Sequence, residues 1–272
     1  MAPTVSADWL HQHLNDPDLI ILDASIEASA DGTQTSERHE VIPSARWFDI
    51  KNAFSDTSSP FPNTVPTAAQ FEQECQKLGI NSQHRIVVYD HFGVYSSPRA
   101  WWLFKVMGHD HVAVLDGGLP EWKAKGFKTV PMTDPNYGKG NFKANFQPEL
   151  VIRYDTVKEN VINPKFLMVD ARASGRFNGT APEPRAHLKS GHIPHSVNIP
   201  YQDVLEGHRF KSDTILKALF DSKCQGEHNL VFSCGSGLTA CILMLASNLS
   251  YSNSKKVYDG SWTEWADNDS FI

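Results

Sequence analysis

The sequence predicts an α/β protein made of two tandem copies of one fold, each a mainly parallel sheet with helices on both faces. Two observations carry this expectation. The two halves of the chain repeat four features in the same order, and within each half short β-branched runs alternate with helical periodicity. The length agrees, because 272 residues suit two domains of ordinary size.

The repeat opens with a buried strand ending in an acid, Leu19-Ile20-Ile21-Leu22-Asp23 in the first half and Phe166-Leu167-Met168-Val169-Asp170 in the second. Next come Ile42-Pro43-Ser44-Ala45 and Ile193-Pro194-His195-Ser196, each followed by a short apolar stretch. Further on, Ile86-Val87-Val88-Tyr89-Asp90 matches Leu230-Val231-Phe232-Ser233-Cys234. The repeat closes with Asp116-Gly117-Gly118-Leu119-Pro120-Glu121-Trp122 against Asp259-Gly260-Ser261-Trp262-Thr263-Glu264-Trp265. The spacing agrees as well: Asp116 follows Asp90 by 26 residues, and Asp259 follows Cys234 by 25. One match of this kind arises by chance; four in one order mark a duplication. The first copy is expected over 1–130 and the second over 149–272. The stretch 131–148, rich in Pro, Gly, Asn and Lys with little periodicity, reads as the linker. Helical periodicity is clearest over 69–78, 97–107 and 239–249. In open parallel sheets ligands bind beyond the carboxyl ends of the strands, so functional residues are sought there.

Composition excludes several classes. Hydrophobic residues make up 40% and charged residues 21%, enough apolar material for sizeable cores. Asp+Glu outnumber Lys+Arg by 31 to 25, and a net charge of −6 offers no footprint for nucleic acid. The longest purely apolar run, Ala240 to Ala246, is far short of the ~20 residues of a membrane span, and no membrane partner is expected. The first residues lack a basic segment followed by an apolar one, so a secretory signal is not expected. Four cysteines, at 75, 224, 234 and 241, form neither a disulfide framework nor a Cys-x-x-Cys pair. A reducing compartment, the cytoplasm, fits best.

The most informative stretch is Leu230-Val231-Phe232-Ser233-Cys234-Gly235-Ser236-Gly237-Leu238-Thr239-Ala240. It reads as a buried strand, a glycine-spaced loop and a helix, with Cys234 at the carboxyl end of the strand. Gly235 and Gly237 let the backbone turn inward so that successive N–H groups converge at a positive helix terminus. A sulfur at the centre of such a nest is favoured as thiolate. The same cradle would hold a persulfide or a small oxyanion. An ordinary buried cysteine would not require strand, Gly-x-Gly loop and helix together. Cys241 and Cys75, on helical patterns, read as core, and Cys224 reads as part of a polar loop.

The loop Cys-Gly-Ser-Gly-Leu-Thr-Ala at 234–240 resembles the active loop of the tandem rhodanese-like sulfurtransferases, and in particular of the 3-mercaptopyruvate sulfurtransferases, where it reads Cys-Gly-Ser-Gly-Val-Thr-Ala. Thiosulfate sulfurtransferases usually carry Arg-Lys after the cysteine, where this chain has Gly235-Ser236. The resemblance extends over nearly the whole chain. It includes Ser97-Pro98-Arg99-Ala100-Trp101-Trp102, Gly175-Arg176-Phe177, Glu183-Pro184-Arg185 and Gly191-His192-Ile193-Pro194. It implies that only the second copy is catalytic, and Asp90 stands where the first copy would need its cysteine. The first copy then forms one wall of a cleft, and Tyr95 matches a family tyrosine facing it.

The resemblance further implies roles for single residues. Arg176 and Arg185 match the two arginines that hold the donor's carboxylate and carbonyl, a planar group that suits a guanidinium fork. Gly235, Gly237, Leu238 and Thr239 line the loop as donor-binding residues, with Leu238 replacing the family's valine. Ser236 belongs to a proton relay with an aspartate and a histidine. The histidine is not apparent here: the first copy has Val41-Ile42-Pro43 at the usual His-Ile-Pro, and His39 is a candidate substitute. His192 keeps its place in the second copy and is expected to bond backbone near the turn. Arg172, beside Asp170, is expected to make a structural ion pair.

The implied reaction is transfer of sulfur from 3-mercaptopyruvate to Cys234 as a persulfide, with release of pyruvate, and then to a thiol, thioredoxin-like acceptors included. No metal or organic cofactor is implied. Thiosulfate as main donor is the nearest alternative. A cysteine phosphatase would need an arginine six positions after the cysteine, where Ala240 stands. A non-catalytic binding module would be expected to have lost the cysteine or its glycines.

Overall fold

In a computed structural model the chain divides into two compact units, the first formed by 1–57, 65–147 and 207–210 and the second by 58–64, 148–206 and 211–272. The structure describes residues 1–28, 34, 40–133, 135–226, 229–251 and 254–268. His39 lies outside them.

The first unit is a five-stranded sheet in the spatial order Thr4–Val5, Val112–Leu115, Arg85–Tyr89, Leu19–Asp23, Arg46–Trp47, every neighbouring pair parallel. Leu19–Asp23 is buried along its whole length, and Arg85–Tyr89 from its second residue on. Such continuous apolar runs are what a strand covered on both faces requires. One core packs Ile21, Val87, Tyr89, Leu115 and Trp122 against Leu10 of the helix Ala7–His13. A second is aromatic: Phe71 and Phe104, on the helices Ala68–Lys77 and Ser97–Val106, meet edge to face at 5.1 Å, and Phe48 stacks on Phe54 at 3.6 Å. The stretch after Asn136 returns over this cluster. Its backbone bonds to Gln76, Ile80, Met107 and Val106, and the fully buried Phe142 packs beside Phe71.

The second unit repeats the plan. Its strands run, in spatial order, Val151–Ile152, Ser254–Tyr258, Asn229–Ser233, Leu167–Asp170, Ser196–Asn198, again all parallel. Strand for strand this is the order of the first unit, as a duplicated fold requires. The core joins Met168, Val231 and Tyr258 with Trp262 and Trp265. The helix Ala240–Ser250 is buried at eight consecutive positions, Ala240 to Ser247. A helix apolar all round is one enclosed by the rest of its domain.

One sequence expectation is corrected. Cys224 does not sit in a polar loop: it ends the helix Asp213–Cys224, on the buried face with Leu216 and Phe220. The spacing of these three residues places them on one helix face, a signal that the flanking lysine and serine hide.

Candidate functional site

The central strand Asn229–Ser233 of the second unit ends at Cys234, which is 2% exposed. The loop from Gly235 to Thr239 then feeds the helix Ala240–Ser250. The two loop glycines are needed for different reasons. Gly237 has a left-handed φ of +76°, which a side chain would strain. Gly235 has no such torsion; a Cβ there would lie 2.9 Å from Nη2 of Arg176, so glycine supplies room for a guanidinium. Leu238 and Thr239 are buried at 6% and 7%. The N–H groups of Leu238, Thr239 and Ala240 have no hydrogen-bond acceptor among the described residues, so they remain for a ligand or an anionic sulfur.

The first unit shows the same cradle filled. Asp90 follows the strand Arg85–Tyr89, where Cys234 follows its own strand. One carboxylate oxygen of Asp90 accepts from the N–H of Tyr95 (2.8 Å), Ser96 (3.0 Å) and Ser97 (2.8 Å) and from the Ser97 hydroxyl (2.6 Å). The other accepts from the Phe92 N–H at 2.9 Å. The nest of the first repeat is thus neutralised by its own side chain. Tyr95 belongs to this arrangement; it is 4% exposed and its ring meets Phe92 edge to face.

Three residues hold the cysteine loop from beneath and beside. Ser261, at the start of the helix Ser261–Asn268, accepts through its hydroxyl oxygen from the N–H of Cys234 and of Gly237, both at 3.1 Å, and donates to the Tyr258 carbonyl at 2.8 Å. The Gly235 carbonyl accepts from the Thr263 N–H (3.0 Å) and hydroxyl (2.6 Å). Asn63, in the segment 58–64 that belongs to this unit, donates through Nδ2 to the Ser236 carbonyl (2.9 Å) and hydroxyl (3.0 Å).

The arginines form a graded series. Arg172 is fully buried and structural: its fork holds Asp170 and Glu183 and donates to the Gly191 carbonyl, and its guanidinium lies 4.3 Å from the centre of the Trp262 ring. Arg176 is partly exposed and shares Glu183, with Nε on one carboxylate oxygen at 3.1 Å and Nη2 on the other at 2.6 Å. That bidentate grip fixes the plane of its guanidinium over Gly235. Arg185 is half-buried and donates to the Thr263 hydroxyl at 3.2 Å, the same hydroxyl that donates to Gly235. Of the two arginines expected to hold the donor, Arg176 stands against the Gly235 position itself and Arg185 reaches it through the Thr263 hydroxyl. His192 bonds the Phe177 carbonyl at 2.9 Å and stacks on the Phe177 ring, a backbone-tying role.

Sequence reading missed Glu183, Asn63, Ser261 and Thr263 as members of this constellation. Glu183 stands inside a motif quoted for its arginine, and Ser261 inside one quoted for the repeat. Only the departure of Ser261 from the glycine at the matching place, Gly118, pointed to a special role.

Known proteins resemble the chain along nearly its whole length. The Rhodanese-like domain family matches residues 6–125 and 154–268. The human 3-mercaptopyruvate sulfurtransferase is 38% identical over 275 residues, covering 96% of this chain and 91% of the human protein. The thiosulfate sulfurtransferase of Rattus norvegicus is 39% identical over 276 residues, with the same coverage. Among solved structures, SseA of Escherichia coli, described as a 3-mercaptopyruvate sulfotransferase, superposes with a TM-score of 0.84 at 32% identity, covering 96% of this chain and 99% of that one. With both repeats matched and relatives spanning nearly its whole length, the chain belongs to the rhodanese-like domain family and carries that domain twice.

Proposed function

We propose that the chain is a 3-mercaptopyruvate sulfurtransferase with Cys234 as its nucleophile. The observation that carries this reading is that Arg176 stands against Gly235, one residue from the cysteine, and Arg185 is linked to the same glycine through Thr263, beside a loop that brings no cation of its own. Two guanidiniums suit a donor bearing a carboxylate beside a carbonyl.

The Cys234 thiolate attacks the sulfur of the donor. An S–S bond forms and the donor's C–S bond breaks, its electron pair passing to carbon as the enolate of pyruvate. The proton carried by the donor's thiol balances the one that the enolate carbon takes up. The persulfide left on Cys234 is stabilised by the free N–H groups of Leu238, Thr239 and Ala240. An acceptor thiolate then attacks the outer sulfur, breaking the S–S bond and returning Cys234 as thiolate. A thiol, thioredoxin-like acceptors included, is the proposed acceptor. Four buried cysteines without disulfides support a reducing compartment, and the cytoplasm is the one proposed. No helix among the described residues is long and apolar enough to cross a membrane.

Thiosulfate is the second reading, favoured by the rat relative at 39% identity. One assay separates the two: kcat/KM for each donor on one preparation, with Cys234→Ser as control. A higher value for mercaptopyruvate, lost in the variant while a persulfide is found by mass spectrometry on Cys234 of the parent, supports the reading. A preference for thiosulfate, or a persulfide on Cys241, overturns it.

A further inference from the structure

The catalytic loop is tied to a residue more than 170 positions earlier in the chain. Asn63 is 6% exposed and adopts a left-handed φ of +61°, a conformation that asparagine tolerates better than most residues. Its amide orientation is fixed by chemistry. The Ser236 carbonyl can only accept, so the atom 2.9 Å from it must be the NH2 group. That same nitrogen lies 3.0 Å from the Ser236 hydroxyl oxygen, and its two hydrogens serve the two acceptors. The amide nitrogen has no lone pair to offer, so the Ser236 hydroxyl accepts from Asn63 and cannot hand its proton to it.

We infer that Asn63 is a positioning residue that fixes Ser236 and the backbone of the cysteine loop as a rigid unit, and that Ser236 acts as an oriented hydroxyl without a proton relay through residue 63. The inference rests on Cys234 being the reactive residue of this loop. An amide neither gains nor loses protons in the working range, so the bond is the same at every pH at which the enzyme is folded. The charged groups tied to the loop are Arg176, Glu183 and Arg185, and none of them bonds Ser236 among the described residues. The proton balance of the proposed reaction closes without residue 63, because the donor's own thiol brings the proton that the enolate consumes.

The expected consequences follow from the two-acceptor geometry. Asn63→Ala should lower kcat for mercaptopyruvate about ten- to a hundredfold with KM changed less than threefold, because the loop loses its placement while the arginines still hold the donor. The double variant Asn63→Ala/Ser236→Ala should lose less than the product of the two single losses, since both single variants remove the bond between the Asn63 amide and the Ser236 hydroxyl. Asn63→His should also lower kcat, because a ring nitrogen carries one hydrogen at most and cannot serve both acceptors. In parallel, the rate of Cys234 alkylation by iodoacetamide should change in Asn63→Ala with the melting temperature within a few degrees of the parent's. This second readout involves no sulfur donor, so it still judges the positioning role if the parent proves to prefer thiosulfate. Additive losses in the double variant, a parental kcat and alkylation rate in Asn63→Ala, or a kcat raised by Asn63→His with a new ionisation in its pH profile would overturn the inference. The last result would show Ser236 to be a relay waiting for a titratable partner.

Discussion

Ser261 occupies in the second repeat the place that Gly118 occupies in the first, and both have a φ of +52°. At Gly118 a Cβ would lie 2.4 Å from the carbonyls of Asp90 and Gly93, so glycine is required there. At Ser261 a side chain fits, and its hydroxyl takes up the N–H groups of Cys234 and Gly237. The duplication thus kept one strained turn and turned it from a packing device into a support for the cysteine loop.

The first prediction separates torsion from hydroxyl at this position. Ser261→Gly keeps the left-handed turn without strain but loses three buried hydrogen bonds; Ser261→Ala loses them and keeps the strain. Left-handed strain costs of order 1–3 kcal/mol for a residue with a side chain, so the alanine variant should be the less stable by about 1 kcal/mol or more. Both should lose most of their sulfur-transfer rate. Denaturant midpoints measured beside kcat check the order, and a more stable Ser261→Ala would contradict the role given to the turn.

A side chain at Gly235 should weaken mercaptopyruvate binding. Gly235→Ala brings a Cβ to 2.9 Å from Nη2 of Arg176, whose guanidinium is already clamped on Glu183. KM for mercaptopyruvate should rise severalfold while alkylation of Cys234 persists. For the same reason Gly235→Arg with Ser236→Lys should shift preference toward thiosulfate, chiefly through lost mercaptopyruvate activity. Steady-state constants for both donors test this, and an unchanged ratio would refute it.

Arg176→Ala should lower kcat/KM for mercaptopyruvate about ten- to a hundredfold, since a hydrogen bond to a charged group contributes roughly 1.5–3 kcal/mol. Lysine should rescue little, because one ammonium cannot hold both oxygens of Glu183 and still face the donor. Arg185→Ala should lose less. Arg172→Ala should act on stability instead, leaving Asp170 and Glu183 buried without their shared cation. Parental kcat/KM in Arg176→Ala would place the donor pocket elsewhere.

His109 should make the first unit acid-sensitive. Burial beside Phe104 and Phe142, with His111 nearby, pulls its imidazole down to about 4, against 6.5 for a free side chain. Below pH 6.5 the unfolded chain therefore takes up a proton that the folded one refuses. Stability is fully present above that pH and falls between pH 6.5 and 4, by roughly 3 kcal/mol over the interval. His109→Phe should reduce the slope of unfolding free energy against pH in this window and leave it unchanged above pH 7. A slope equal to the parent's would exclude His109 as its source.

Arg176 and Arg185 were pointed to by the family resemblance alone, and the sequence by itself determined the duplication and the strand–loop–helix around Cys234. These are patterns of residue type: alternating and continuous apolar runs declare strands, and glycines declare the turn between strand and helix. Asp90 in place of a cysteine was legible for the same reason. Tertiary structure decided what local pattern cannot encode. Cys224 was misread because charged and hydroxylated neighbours mask a buried helix face. Glu183 could be seen beside Arg185, but not that it grips Arg176 and Arg172 together. Asn63 lies 173 residues from Ser236, in a segment with no periodicity of its own, and its amide gained meaning only when folding brought it to the loop. A single polar side chain leaves no repeating signal in a sequence. Its role depends on which carbonyl and hydroxyl stand within 3 Å of it, and only the packed chain sets that distance.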